Sequence, residues 1–230
     1  MRLDKYLAQS TGFSRKEVRR FMKAGEVLVN DNEVTDPSMH LTDLDEVYLS
    51  GYPVEAPGEK YLMLHKPLGC VCSNDDGTHP TVLSLIDLPR ADELIICGRL
   101  DVDTTGLVLI TTNGQWAHRI TSPKHKTGKV YQVVTADPIP EDAIKKFEKG
   151  LMLINDKEPT KTAKLHLATE NEAEVILTEG RYHQVKRMFA AIGNKVVELH
   201  RTQIGAITLD EDLEPGEYRF LTDEEIKSIK

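Results

Sequence analysis

Apolar and polar positions alternate differently in the two parts of this chain. Leu3 and Leu7 lie four residues apart with Tyr6 beside them, which predicts a short helix over residues 3–9. A second stripe, Val18, Phe21 and Met22, follows Ser14, and Glu17 stands three positions after that serine. Ser14 and Glu17 have the spacing of a reciprocal capping box, so a second helix runs from there to Ala24 and stops at Gly25. EVLVNDNEV reads as strand, Asn/Asp turn and strand, and Val47, Leu49 and Tyr52 continue a small sheet. GYPVEAPGEK, with its two prolines and two glycines, marks a boundary. The predicted organisation is a small domain over 1–55, a linker over 56–60 and a second domain over 61–230.

Beyond the boundary, KYLMLHKP is a strand halted by Pro67, and Gly69 lets the chain turn. Ile95 to Cys97 and Leu107 to Ile110 read as strands, as do VYQVVTA (130–136) and AEVILTEG (173–180). Pro140 to Lys149 predicts a helix ending at Gly150. HQVKRMFAAIG predicts another, with Val185, Met188, Phe189 and Ile192 on one face and Gly193 as its stop. Many strands with few intervening helices indicate an α+β domain built on a mixed, largely antiparallel sheet.

Composition changes this picture little: 40% of residues are apolar and 29% charged. No apolar run approaches the roughly 20 residues that span a bilayer. The start, MRLDKYLAQS, lacks a secretory signature, and three cysteines cannot all pair within the chain, so a reducing cytoplasm is expected and no membrane partner. Cys70 and Cys72 form C-x-C without a second cluster to complete a zinc site; no metal is expected, and buried small hydrophobes explain the cysteines.

Charge matters more. The net charge of −8 argues at first against a nucleic-acid partner. Its distribution reverses that. Residues 1–24 hold seven Lys/Arg against Asp4 and Glu17, whereas residues 25–59 hold nine acids and no Lys/Arg. Residues 114–136 hold four bases and no acid. Arg15, Lys16, Arg19, Arg20 and Lys23 cover much of the second helix, and such a local face binds phosphate because fields decay within about 10 Å.

The candidate chemistry lies in ICGRLDVDTTGLVLIT. Between its two strands sit Arg99, Asp101, Asp103, Thr104 and Thr105, flanked by Gly98 and Gly106. Two carboxylates invite an acid/base reading, but two positions apart on extended chain they point in opposite directions, and Asp and Thr also serve turns. In EGRYHQVKR, Lys186 borders the apolar stripe, and His183 and Arg187, four apart, either bind phosphate or face solvent. Tyr131 is a core aromatic or a platform for a nucleobase. The residues alone thus describe an RNA-interacting protein with a carboxylate as its candidate reactive group.

GRLDVDTTGLVLITTNG resembles the signature of the pseudouridine synthases that modify ribosomal RNA. HKPLGCVCS, KVYQV and EGRYHQVKRMFAAIGNKVVELHR resemble the family's other blocks, in the same order. RLDKYLA and SRKEVRRFMKAGEVLVN resemble the start of an S4 RNA-binding domain. Together these cover nearly the whole chain, and their combination is similar to the small-subunit type of the family.

That resemblance implies an S4-like domain followed by a synthase domain that isomerises a uridine of 16S rRNA, uridine 516, without a cofactor. It implies that Asp101 is the catalytic aspartate, Tyr131 the stacking tyrosine and candidate acceptor of the C5 proton, and Lys186 the basic group paired with the aspartate. Arg99 is then the residue that supports the flipped nucleotide, and Asp103 and Thr104 shape the loop. The basic helix, His183 and Arg187 are expected to contact RNA, in a partly assembled ribosomal particle and as a monomer. Competing readings are the same chemistry on large-subunit rRNA, a non-catalytic ribosome-binding protein, and a glycosidase for small sugars.

Overall fold

The computed structural model describes residues 1–42, 44–88 and 91–230, which form two compact units: residues 1–59 with 87–93, and residues 60–86 with 94–230. In the first unit, α1 (Leu3–Thr11) buries Leu3, Tyr6 and Leu7 on one face and ends at Gly12. Helix α2 (Arg15–Lys23) begins with the expected box: the Glu17 amide donates to Ser14 Oγ at 3.3 Å, and the Ser14 amide donates to Glu17 Oε2 at 2.8 Å. These bonds satisfy donors that a helix start otherwise leaves open. Val18 and Met22 anchor α2 on the core, and Phe21 packs at its margin. Strands β1 (Val27–Val29), β2 (Asn32–Glu33), β3 (Val47–Leu49) and β4 (Tyr52–Pro53) make an antiparallel sheet in the order β2-β1-β3-β4.

One member of the basic row on α2 has a structural duty. The Asp4 side chain is fully buried and accepts bonds from Arg2 at 3.0 Å and Arg19 at 3.2 Å. Burial pushes its carboxyl up, but the bonds from Arg2 and Arg19 outweigh this and hold it below the usual range. Arg15, Lys16, Arg20 and Lys23 are exposed.

The second unit is built on β5 (Tyr61–Lys66), β6 (Ile95–Ile96), β7 (Thr105–Thr111), β8 (Lys129–Thr135), β9 (Lys164–Leu167), β10 (Glu172–Leu177), β11 (Val196–Ile204), β12 (Ile207–Thr208) and β13 (Tyr218–Phe220). The sheet order is β13-β5-β7-β11-β8-β10-β9, with β12 beside β11 and β6 beside β7. Among the described residues β7 and β11 are its one parallel pair; the other pairings are antiparallel. Helices α3 (Gly114–Thr121), α4 (Asp142–Lys149), α5 (Gln184–Ala191) and α6 (Asp223–Ser228) complete the unit. Residues Gly106 to Thr111 of β7 are buried without a break, the mark of a strand covered on both faces. Trp116, Ala117 and Ile120 of α3 pack with Leu107 and Leu109 of β7 in one core.

Several sequence expectations shift in detail. The strand read as Ile95–Cys97 is regular only over Ile95–Ile96, although the Cys97 amide still donates to Leu109 O at 2.8 Å. The strand read as Leu107–Ile110 extends back to Thr105, so Thr105 and Gly106 belong to β7 rather than to the loop. Ile192 caps α5 and is only partly buried, because the helix ends one residue before it. All three cysteines are free and buried, and burial pushes the Cys97 thiol up to about 12.

Candidate active site

The connection from β6 to β7 is held from several sides. Thr104 N donates to Asp101 O at 3.0 Å, which closes a turn over the two carboxylates. Gly69 N donates to Val102 O at 2.9 Å and Leu100 N contacts Cys72 Sγ at 3.3 Å, so residues 69–72 brace the loop. Lys66, fully buried at the end of β5, donates to Thr104 O at 2.7 Å and to Pro67 O at 3.0 Å. A buried amine without carbonyl partners would be costly, and these two bonds fix its place beneath the loop.

Asp101 is thereby presented to the start of α5. Its Oδ1 lies 3.3 Å from His183 Nε2 and its Oδ2 lies 3.6 Å from Lys186 Nζ. Lys186 reaches Asp103 more closely, at 2.5 Å, so one ammonium serves both carboxylates of the loop. The Asp103 carboxyl is held below its usual range chiefly by that Lys186 bond, against the opposing effect of burial. His183 stands just before α5 with φ 46°, a left-handed conformation unusual outside glycine, and the Tyr182 ring stacks on it with centroids 3.7 Å apart.

Tyr131 sits in the middle of β8, 9% exposed, opposite Arg201 of β11. The Arg201 guanidinium carbon is 6.0 Å from the Tyr131 ring centre. Arg201 is buried; its Nε donates to Leu107 O at 2.8 Å, while its Nη2 has no hydrogen-bond partner among the described residues. Gly98, Arg99, Asp101, Lys129, Tyr131, His183 and Arg201 line one cavity of about 360 Å³. That volume lies in the range of small-molecule sites and suits a single nucleoside.

Asp101, Tyr131, His183 and Arg99 therefore share this cavity, and Lys186 reaches Asp101 from α5. Arg187 is turned elsewhere: it donates to Ile154 O and to Asp156 Oδ1, both at 2.6 Å, and to Tyr182 O at 3.2 Å. Asp156 also binds Arg181 at 2.8 Å, so both arginines tie residues 154–159 to the base of α5. The five cations of α2 lie in the other unit. Sequence reasoning missed Lys66 and Arg201. Lys66 stands two residues after Leu64 on β5, so strand alternation turns both side chains to the same, buried face. Arg201 stands two residues after Leu199, on the buried alternation of its strand.

A family model described as RNA pseudouridylate synthase matches residues 60–191, and an S4 domain model matches residues 1–47. The chain belongs to the RNA pseudouridylate synthase family. As an RNA pseudouridine synthase it is an isomerase, and its matched segment contains Asp101, Tyr131 and Lys186. The ribosomal small subunit pseudouridine synthase A of Vibrio parahaemolyticus is 53% identical over 231 residues, covering 100% of this chain and 99% of the relative. The protein of the same description from Escherichia coli K12 is 51% identical over 230 residues, all of both chains. A crystal structure of a pseudouridylate synthase matches all of both chains at 48% identity with a TM-score of 0.73. Among the described residues no helix is long and apolar enough to cross a membrane, and no cluster of His, Cys, Asp and Glu could hold a metal ion.

Proposed function

We propose that this synthase isomerises one uridine of small-subunit ribosomal RNA, uridine 516 of 16S rRNA, with Asp101 as the group that acts on the sugar. The observation that carries the chemical part is one carboxylate, partly exposed in a nucleoside-sized cavity, facing His183 and Lys186 beside the wall made by Tyr131. Full-length similarity to small-subunit synthases supports the choice of RNA.

Pseudouridine forms when the N1–C1′ bond breaks, the uracil turns and C5 joins C1′; the C5 proton is then lost and N1 gains one. Atoms and electrons balance without an added group, so no cofactor is invoked. Asp101 acts as a carboxylate, either attacking C1′ or removing a sugar proton to give a glycal. Lys186 sets a positive charge beside it, and His183 offers a ring nitrogen to its other oxygen. Tyr131 stacks on the base and is the candidate acceptor of the C5 proton, while Arg99, exposed at the cavity rim, supports the extruded nucleotide. Arg187 steadies the helix that carries Lys186 and adds positive charge near the RNA. The substrate is a partly assembled small-subunit particle in the cytoplasm, bound by one protein molecule. The test is tritium release from C5-labelled small-subunit and large-subunit RNA: release from the former supports this reading, and release only from the latter overturns it.

Two predictions attach to named cations. Without Lys186, Asp103 loses the bond that holds its carboxyl below the usual range, so Lys186→Met raises the pH at which Asp103 protonates, read by carbon NMR of its side-chain carboxyl. An unchanged Asp103 titration in the variant would contradict the pairing of Lys186 with Asp103.

The second concerns docking by α2. Lys16, Arg20 and Lys23 replaced together by Gln weaken RNA binding and reduce its salt slope by about 0.7 for each single-strand phosphate no longer neutralised, with the rate at saturating RNA little changed. Arg19 is left intact because its loss would strand the buried Asp4. Unchanged affinity and slope in a folded variant would remove α2 from the RNA interface.

A further inference from the structure

Two cations in the cavity have no role in the chemistry described above. Lys129 opens β8 two residues before Tyr131, so both side chains leave the same face of the strand. Its Nζ has a single hydrogen-bond partner among the described residues, Thr127 O at 3.3 Å. Burial and the charge of Arg201 push the Lys129 amine down to about 8, and no carboxylate draws it back up. Arg201 adds a second charge with an unpartnered Nη2 and no ion pair among the described residues. The two acids of the cavity are already engaged. Asp101 faces His183 and Lys186, and Glu179 accepts from Lys161 N at 2.9 Å, Gln184 at 2.7 Å and Arg181 at 3.4 Å. The Lys129 end of the cavity is therefore cationic and suited to negative charge.

Resting on the reading that uridine enters this cavity, we propose that Lys129 is a catalytic residue that hydrogen-bonds a carbonyl oxygen of the uracil. When the C1′–N1 bond breaks, its electron pair leaves with the base and spreads onto N1 and the two carbonyl oxygens. A partly buried ammonium at that edge stabilises the anion, and it keeps the detached ring in the cavity while it turns. Its place beside Tyr131 on the same strand face puts it at the edge of a base stacked on that ring. A backbone phosphate would lie instead toward the rim, where Arg99 is exposed.

The test compares Lys129→Met with wild type on uridine RNA and on RNA carrying 5-fluorouridine at the target. Fluorine stabilises the uracil anion and makes the base a better leaving group. The single-turnover rate of base rearrangement on uridine RNA falls on the order of 100-fold with RNA affinity unchanged. On 5-fluorouridine RNA the fall is several times smaller, and Lys129→Arg recovers part of the loss. Equal falls on both RNAs would make Lys129 structural, and weaker RNA binding with intact saturated turnover would place it on a phosphate; either overturns the proposal. Should Lys129→Met fail to fold, Lys129→Gln supplies the same comparison. Asp101→Asn is the control: its turnover would displace the site itself, whereas a silent Asp101→Asn with a Lys129 loss blind to fluorine would displace only this role.

Discussion

Asp101→Asn lowers the rate of tritium release from C5-labelled uridine RNA by at least about 10⁴-fold, which corresponds to roughly 5.5 kcal/mol of transition-state stabilisation. The amide keeps the shape of the side chain but neither attacks C1′ nor carries the negative charge. RNA binding survives, because among the described residues the Asp101 carboxylate pairs only with His183 and Lys186, and the loop is fixed by backbone amides of Thr104, Gly69 and Leu100. Asp103→Asn retains measurable turnover, since its exposed carboxylate shares Lys186 with Asp101 without facing the cavity lining. Near-normal turnover by Asp101→Asn, or an equal loss in Asp103→Asn, would refute this division of labour.

The second large effect is on folding. Gly106 has φ +108°, and a Cβ there would meet the backbone of Arg201 at 2.2 Å from its O and 2.6 Å from its N. The obstruction is a main chain, which a rotamer change cannot move. Gly106 pairs with Arg201 in the parallel join of β7 and β11, so the clash opens the sheet where it carries Arg201 behind the loop. Gly106→Ala is expected to cost about 3–5 kcal/mol of stability and most of the activity. The single tryptophan, Trp116, is fully buried in this unit and reports its unfolding by fluorescence during denaturation. A loss below about 1 kcal/mol would mean that the strands separate at little cost, contrary to the packing described.

What could be read in advance depended on range. The Ser14–Glu17 box, the Val18–Met22 face of α2 and the Val185–Met188–Phe189 face of α5 are set by neighbours within a few residues, and all three were legible. Strand β11 was not. Its apolar alternation is interrupted by Glu198, His200 and Arg201, and register shifts lie between Val196 and Glu198 and between Arg201 and Gln203. Its pairing with β7 joins residues 95 apart, a relation no local period reveals. Helix α3 escaped because it is short, eight residues opening on Gly114, although Asn113 caps it by accepting from the Trp116 amide.

The site divides in the same way. Asp101, Tyr131 and Lys186 drew attention through the resemblance of their motifs to a family, whereas the brace from Lys66 and the position of Arg201 depend on contacts 38 or more residues apart. Arg187 is the instructive case. A cation four residues from His183 on a helix looks like a phosphate ligand, but Asp156, 31 residues earlier, already holds it.

The most direct measurement maps pseudouridine by carbodiimide modification and primer extension across small-subunit and large-subunit RNA incubated with the protein. One new stop is expected, at uridine 516 of the small-subunit RNA, and it disappears with Asp101→Asn. A stop confined to large-subunit RNA, one at another small-subunit position, or one that persists in Asp101→Asn would contradict it.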